Sequence, residues 1–168
     1  MKLFRPRASS RRISHAAAVI VGAAVLLPTP VLHAQAARPA TRTPTHNVKG
    51  TLFIVGGGAQ PPALVREFVA LAGGPGRARI AILPMASEDS TTGPEKKAEL
   101  DSLGATSFVV DVTRAQADAD SIVKLINTAT GIWFPGGDQV RLAAHLQGSR
   151  ALRAIHDRYR DGAVVAGT

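Results

Sequence analysis

From residue 50 onward, short apolar runs rich in β-branched residues alternate with stretches whose apolar residues recur at helical spacing. This is the alternation that βαβ units produce, and it predicts an α/β domain with a parallel sheet and helices on both faces. Strands are predicted at Thr51–Val55, Arg79–Leu83, Thr106–Val110, Gly131–Phe134 and Ala163–Ala166. All five are nearly continuous in apolar residues, as strands covered on both faces should be. The first connecting stretch, Pro62–Ala72, carries Leu64, Val65, Phe68, Val69 and Leu71 at helical spacing, and Pro61 and Pro62 suit a first turn. Further helices are predicted at Pro94–Leu103, Ala117–Asn127, Asp138–Leu146 and Arg150–Tyr159. No internal repeat is visible. The sequence stops at Gly167-Thr168, directly after the last predicted strand, whereas a buried parallel strand normally passes into a loop and a covering helix. The expectation is therefore the N-terminal part of a longer domain.

Charge separates the chain into three parts. The formal net charge is +8, which by itself points to nucleic acid or an anionic surface. Residues 1–36, however, hold five basic side chains (Lys2, Arg5, Arg7, Arg11, Arg12) and no acidic one, and residues 37–49 add Arg38, Arg42 and Lys49. From Gly50 to Thr168 basic and acidic residues balance at twelve each, so the polycation reading fails for the part that folds. Residues 1–36 have the order of a secretory signal: a basic segment, the apolar run Ala16–Leu27, and small residues ending in Ala34-Gln35-Ala36. The apolar run is shorter than the roughly 20 residues of a spanning helix, so export to the periplasm or the exterior is expected rather than a stable membrane anchor. Ser10-Arg11-Arg12 leaves the twin-arginine route open beside the general one. Residues 37–49, rich in Thr, Pro and Arg, read as a flexible linker. The chain has no cysteine, which excludes thiol catalysis, disulfides and a lipoprotein anchor.

The candidate chemistry lies where strands end. Gly56-Gly57-Gly58 follows the first strand and precedes a helix, a place where backbone amides can approach a ligand, or where the glycines merely make a tight turn. It is not the dinucleotide fingerprint, since Pro61 stands three positions after Gly58. Ser87 and Ser90 leave the second strand at its carboxyl end; they are either substrate contacts or turn and cap residues. Pro135-Gly136-Gly137-Asp138-Gln139 follows the fourth strand and opens a helix. Its glycines suit an oxyanion hole, Asp138 suits either a helix cap or a substrate contact, and the Gln139 amide suits a substrate contact. His145 and His156 have no partner at a telling spacing and read as surface or packing residues. No ligand cluster implies a metal, and no cofactor is expected. Arg150, Arg153, Arg158 and Arg160, interleaved with Asp157 and Asp161, read as a solvated helix face rather than a nucleic-acid patch, and Trp133 and Phe134 as core.

Gly56-Gly57-Gly58-Ala59, Met85-Ala86-Ser87-Glu88, the segment from Ala129 to Leu142 that contains Gly-Gly-Asp-Gln, and the closing Val165-Ala166-Gly167-Thr168 together resemble the cyanophycinases. These are serine peptidases related to the aspartyl dipeptidase called peptidase E, and the resemblance covers about Lys49–Thr168. It implies a flavodoxin-like fold of the class I glutamine-amidotransferase type, incomplete here at the C-terminus. It also implies a nucleophilic serine in a G-T-S-A-G turn, with a histidine and an acid further on. Gly167 and Thr168 match the first two letters of that turn, so the nucleophile is expected directly after Thr168, and the chain as given is expected to be inactive. Gly136 and Gly137 match the oxyanion-side loop and Gln139 the substrate-contacting glutamine, with Asp138, Ser87, Gly57 and Gly58 as further substrate-side candidates. The implied chemistry is acyl transfer from the β-aspartyl-arginine polymer cyanophycin to serine and then to water. The rivals are another peptidase E-like dipeptidase and a non-catalytic ligand-binding domain of the same fold. The expected partner is a peptide substrate, with no nucleic acid, and a homodimer is left open.

Overall fold

In the computed structural model, residues 48–168 are described. The signal and cleavage site expected over residues 1–36, and all but the end of the linker, lie outside them. The chain folds as β1 (Thr51–Ile54), α1 (Pro62–Leu71), β2 (Arg79–Ile82), α2 (Thr92–Ser102), β3 (Thr106–Val109), a 3-10 turn (Gln116–Asp118), α3 (Asp120–Asn127), β4 (Gly131–Phe134), α4 (Gln139–Leu146), α5 (Arg150–Asp161) and β5 (Val164–Gly167). All four strand pairings are parallel, and the order across the sheet is β1-β5-β4-β2-β3. Read from the far edge, β3-β2-β4-β5 repeats the start of the flavodoxin order, and β1 takes the place of the fifth strand.

Strand alternation divides the core in two. On one face Ile80, Ile82, Trp133, Val164 and Ala166 meet Val65, Phe68 and Val69 of α1 and Leu100 of α2. The Phe68 ring stands edge-on to Trp133 at a centroid distance of 4.8 Å, an arrangement aromatic quadrupoles favour. On the other face Ala81, Leu83 and Ile132 meet Ile126 of α3, Leu146 of α4 and Ala151, Ala154 and Ile155 of α5. The connections leading toward β3 thus run over one face, and those leading toward β5 over the other. That division is what right-handed crossovers in the two directions require.

Local chemistry explains most boundaries. Pro61 and Pro62 open α1 as expected. Ser149 caps α5 by accepting the Leu152 N–H at 3.0 Å, and Gly162 ends it with φ +120°. Helix α2 begins at Thr92, two residues earlier than expected, because Pro94 falls in the first turn, where its missing N–H costs no helical bond. The single helix expected over Ala117–Asn127 is in fact two pieces. Ala119 is extended (φ −68°, ψ 138°), and the preceding Asp118 accepts the Arg150 N–H at 2.7 Å and an Arg114 guanidinium N–H at 2.8 Å.

Two expectations need correction. The first strand is not covered on both faces: β1 is an edge strand with Leu52 and Ile54 exposed, Ile54 at 86%. The basic face of α5 is not wholly solvated either, since Arg158 Nε donates to the Ala129 carbonyl at 2.9 Å and ties the helix to the entry of β4. Trp133 is fully buried as expected, while Phe134 is half-buried. The last residue of the expected linker is anchored: Lys49 N–H donates to the Arg160 carbonyl at 3.1 Å. Among the described residues, no helix is long and apolar enough to cross a membrane.

Candidate active site

All five strands point their carboxyl ends to the same rim. From β2 the chain turns outward to β3, whereas from β4 it turns the other way to β5, so the reversal falls between β2 and β4. Ligands of open α/β sheets bind at such a reversal. The loops leaving these two strands touch there, with the Asp138 N–H donating to the Ala86 carbonyl at 2.9 Å. Gly137 adopts φ +123°, and a Cβ on it would collide with the Ala86 carbonyl, so both backbone and space require glycine. At Gly136, φ is +93° and a Cβ would lie 2.6 Å from Thr168 Oγ1.

The end of β5 sits between two glycine loops. Thr168 N–H donates to the Phe134 carbonyl at 3.2 Å on one side, and Val55 N–H donates to the Gly167 carbonyl at 3.0 Å on the other. This brings Gly56-Gly57-Gly58 and Gly136-Gly137 to either flank of Gly167-Thr168. Among the described residues, the N–H groups of Gly136 and Gly137 meet no acceptor. Unpaired backbone amides at the carboxyl end of a strand are donors that a carbonyl or anionic oxygen could accept from.

The remaining candidates separate. Asp138 caps α4, its Oδ1 accepting the Val140 N–H at 2.7 Å, which is the plainer of its two sequence readings. Gln139 is the exposed first residue of α4. It borders an apolar cavity of about 320 Å³ with Phe134, Leu142, Leu146 and Leu152. The Ser87 hydroxyl is taken up within its own loop, 2.8 Å from Thr92 Oγ1 and accepting the Asp89 N–H at 3.1 Å. Ser90 lines a polar cavity of about 240 Å³ beyond the end of β2. His156 is exposed at the rim of an apolar cavity lined also by Tyr159, Leu52 and Val165, which fits the surface reading.

Sequence reasoning missed what shares the polar cavity with Ser87: Glu88, Asp89, Asp111, Arg141 and His145. Arg141 Nη1 pairs with Glu88 Oε1 at 2.6 Å and so closes α4 against the loop after β2. The Asp89 carboxyl is held below the usual carboxylate range by the backbone N–H and then the hydroxyl of Thr91. Two of these residues stood in segments already singled out, Glu88 at the end of Met85-Ala86-Ser87-Glu88 and Arg141 two positions after Gln139; Asp111 and His145 offered no signal. Among the described residues, no group of three or more His, Asp or Glu side chains is placed to hold a metal.

The sequence model of peptidase family S51 matches residues 52–168. The chain belongs to peptidase family S51. Solved structures similar to it include the following two. One is a peptidase from an acI-B1 actinobacterium, with 26% identity and a TM-score of 0.62 over 73% of this chain and 55% of that one. The other is a protein assigned as peptidase E from Listeria monocytogenes EGD-e, with 21% identity and a TM-score of 0.54 over 70% and 57%. The S51 chain described here thus spans little more than half the length of these two structures. Their likeness agrees with the parallel α/β fold, and S51 membership supports a peptidase.

Proposed function

We propose that this chain is the N-terminal part of an exported S51 serine peptidase that cleaves a β-aspartyl-arginine polymer of the cyanophycin type into dipeptides. The observation that carries the reading is the meeting of Gly136 with Thr168 at the carboxyl end of β5. It sets unpaired amides beside the position where the resemblance puts the nucleophile, directly after Thr168. In that position a serine Oγ, giving its proton to the histidine that the resemblance places further on, attacks the scissile carbonyl, and the developing oxyanion takes hydrogen bonds from the glycine loop; the C–N bond then breaks, the amine leaves with that proton, and water hydrolyses the acyl ester to free the serine. The exposed Gln139 amide, free of intramolecular bonds among the described residues, is assigned to hold the substrate. A dipeptidase acting on short aspartyl peptides is the second reading, favoured by the likeness to a protein assigned as peptidase E.

The test is to assay the full-length gene product on the β-Asp-Arg polymer and on Asp-X dipeptides, with and without a serine-directed inhibitor. Inhibitor-sensitive cleavage of the polymer is expected; cleavage of dipeptides alone would move the assignment to the second reading. Gln139→Ala should lower kcat/KM about tenfold or more, the worth of one good hydrogen bond. An unchanged kcat/KM would remove Gln139 from the site. The 168-residue chain by itself is expected to show no turnover.

A further inference from the structure

Lys96 of α2 is a cation in an apolar place. Its side chain retains only 11% of its exposure, and its ammonium stands 4.6 Å from the centroid of the fully buried Trp133 ring. Such a group is tolerated where every N–H finds a partner. Besides the ring, Nζ meets Glu99 Oε2 at 2.5 Å and Gln60 Oε1 at 3.1 Å. Gln60 lies in the turn between β1 and α1, and its Nε2 donates to the Gly58 carbonyl. A line of polar contacts therefore runs from Glu99 through Lys96 and Gln60 to the backbone of Gly58.

This line matters because the glycine turn has little else to hold it. A Cβ built on Gly56, Gly57 or Gly58 would meet nothing within 4 Å, so the turn is not wedged against neighbours as Gly137 is. Among the described residues, its N–H groups meet no acceptor. Its fastenings are the Val55–Gly167 backbone bond at one end and Gln60 at the other. With Oε1 on the ammonium and Nε2 on the carbonyl, the Gln60 amide has one favourable orientation.

We propose that Lys96 is a positioning residue: acting through Gln60, it fixes the Gly56–Gly58 turn beside Gly167 in the conformation that receives substrate. The inference rests on the reading of Gly57 and Gly58 as substrate contacts. Its test uses the full-length gene product with Lys96→Met, Lys96→Arg and, to cut the same line outside the core, Gln60→Ala. In Lys96→Met and Gln60→Ala the amide order parameters of Gly57 and Gly58 should fall from about 0.85 to below about 0.6, with those of Ile80–Ile82 unchanged. The peptide KM should rise about fivefold or more with kcat within about twofold. Lys96→Arg, which keeps the charge and the donors, should restore both. Unchanged glycine order parameters in Gln60→Ala, or a failure of arginine to rescue, would overturn the proposal. A loss of order without a rise in KM would overturn the link to substrate. If the wild type cleaves no peptide while the order parameters respond as stated, the positioning role stands and the peptidase reading fails.

Discussion

Gly137 and Gly57 stand in loops of similar composition under opposite constraints. Gly137 holds a positive φ with the Ala86 carbonyl where a Cβ would go; Gly57 has open space around it. Gly137→Ala should therefore cost about 2 kcal/mol or more, from backbone strain and a backbone collision that no rotamer relieves. Gly57→Ala should stay within about 0.5 kcal/mol. Urea unfolding of the two variants measures the contrast, and equal effects would show that the β2 and β4 loops are not pressed together. The glycines of this segment were legible because glycine after a strand leaves few alternatives. The Arg141–Glu88 pair was not, since 53 residues of chain separate its partners and each looks like an ordinary surface charge.

Helix α2 is joined to β3 by one carboxylate. Asp101 Oδ1 accepts from Ser107 N–H at 2.9 Å and Ser107 Oγ at 2.6 Å, while Oδ2 pairs with Lys97. Burial raises the Asp101 pKa, but the bonds from Lys97 and Ser107 outweigh it and leave the carboxyl below its ordinary 3.8. A carboxyl with a depressed folded pKa stabilises at any pH above its unfolded value, and that contribution is lost as pH falls through the folded one. Asp101→Asn should thus lower Tm at neutral pH and flatten its decline between about pH 5 and about pH 2. Parallel Tm–pH curves for wild type and variant would rule out this role. At this scale the number, type and sequence of major elements followed from periodicity. The break at Ala119 escaped it, because Asp118 is drawn out of the helix by Arg114 and Arg150, the latter 32 residues away.

Across the whole molecule, residues 48–168 leave an apolar surface at the β1 edge. Leu52 and Ile54 are exposed on the same side as Phe134, Leu152 and Val165, which line the cavities beside α5. Contiguous apolar surface next to an unpaired strand edge promotes association. The 168-residue chain should bind a hydrophobic dye and self-associate as its concentration rises, and Ile54→Lys should reduce both. Sedimentation showing a monomer that ignores the dye would contradict the exposure of this face. The strand content of the sheet was legible, but its order was not, because nothing local says that the first strand pairs with the last described one.

That pairing sets a delay. Thr51 faces Val164, so β1 waits for roughly 110 residues of chain before its hydrogen-bonding partner exists. At about 5–20 residues per second on the ribosome, that is about 6 to 20 s. The other four described strands, by contrast, run in an order whose neighbours lie closer in sequence. For that interval Leu52, Phe53 and Ile54 form a β-prone segment at the front of the nascent domain whose backbone partner has not yet been made.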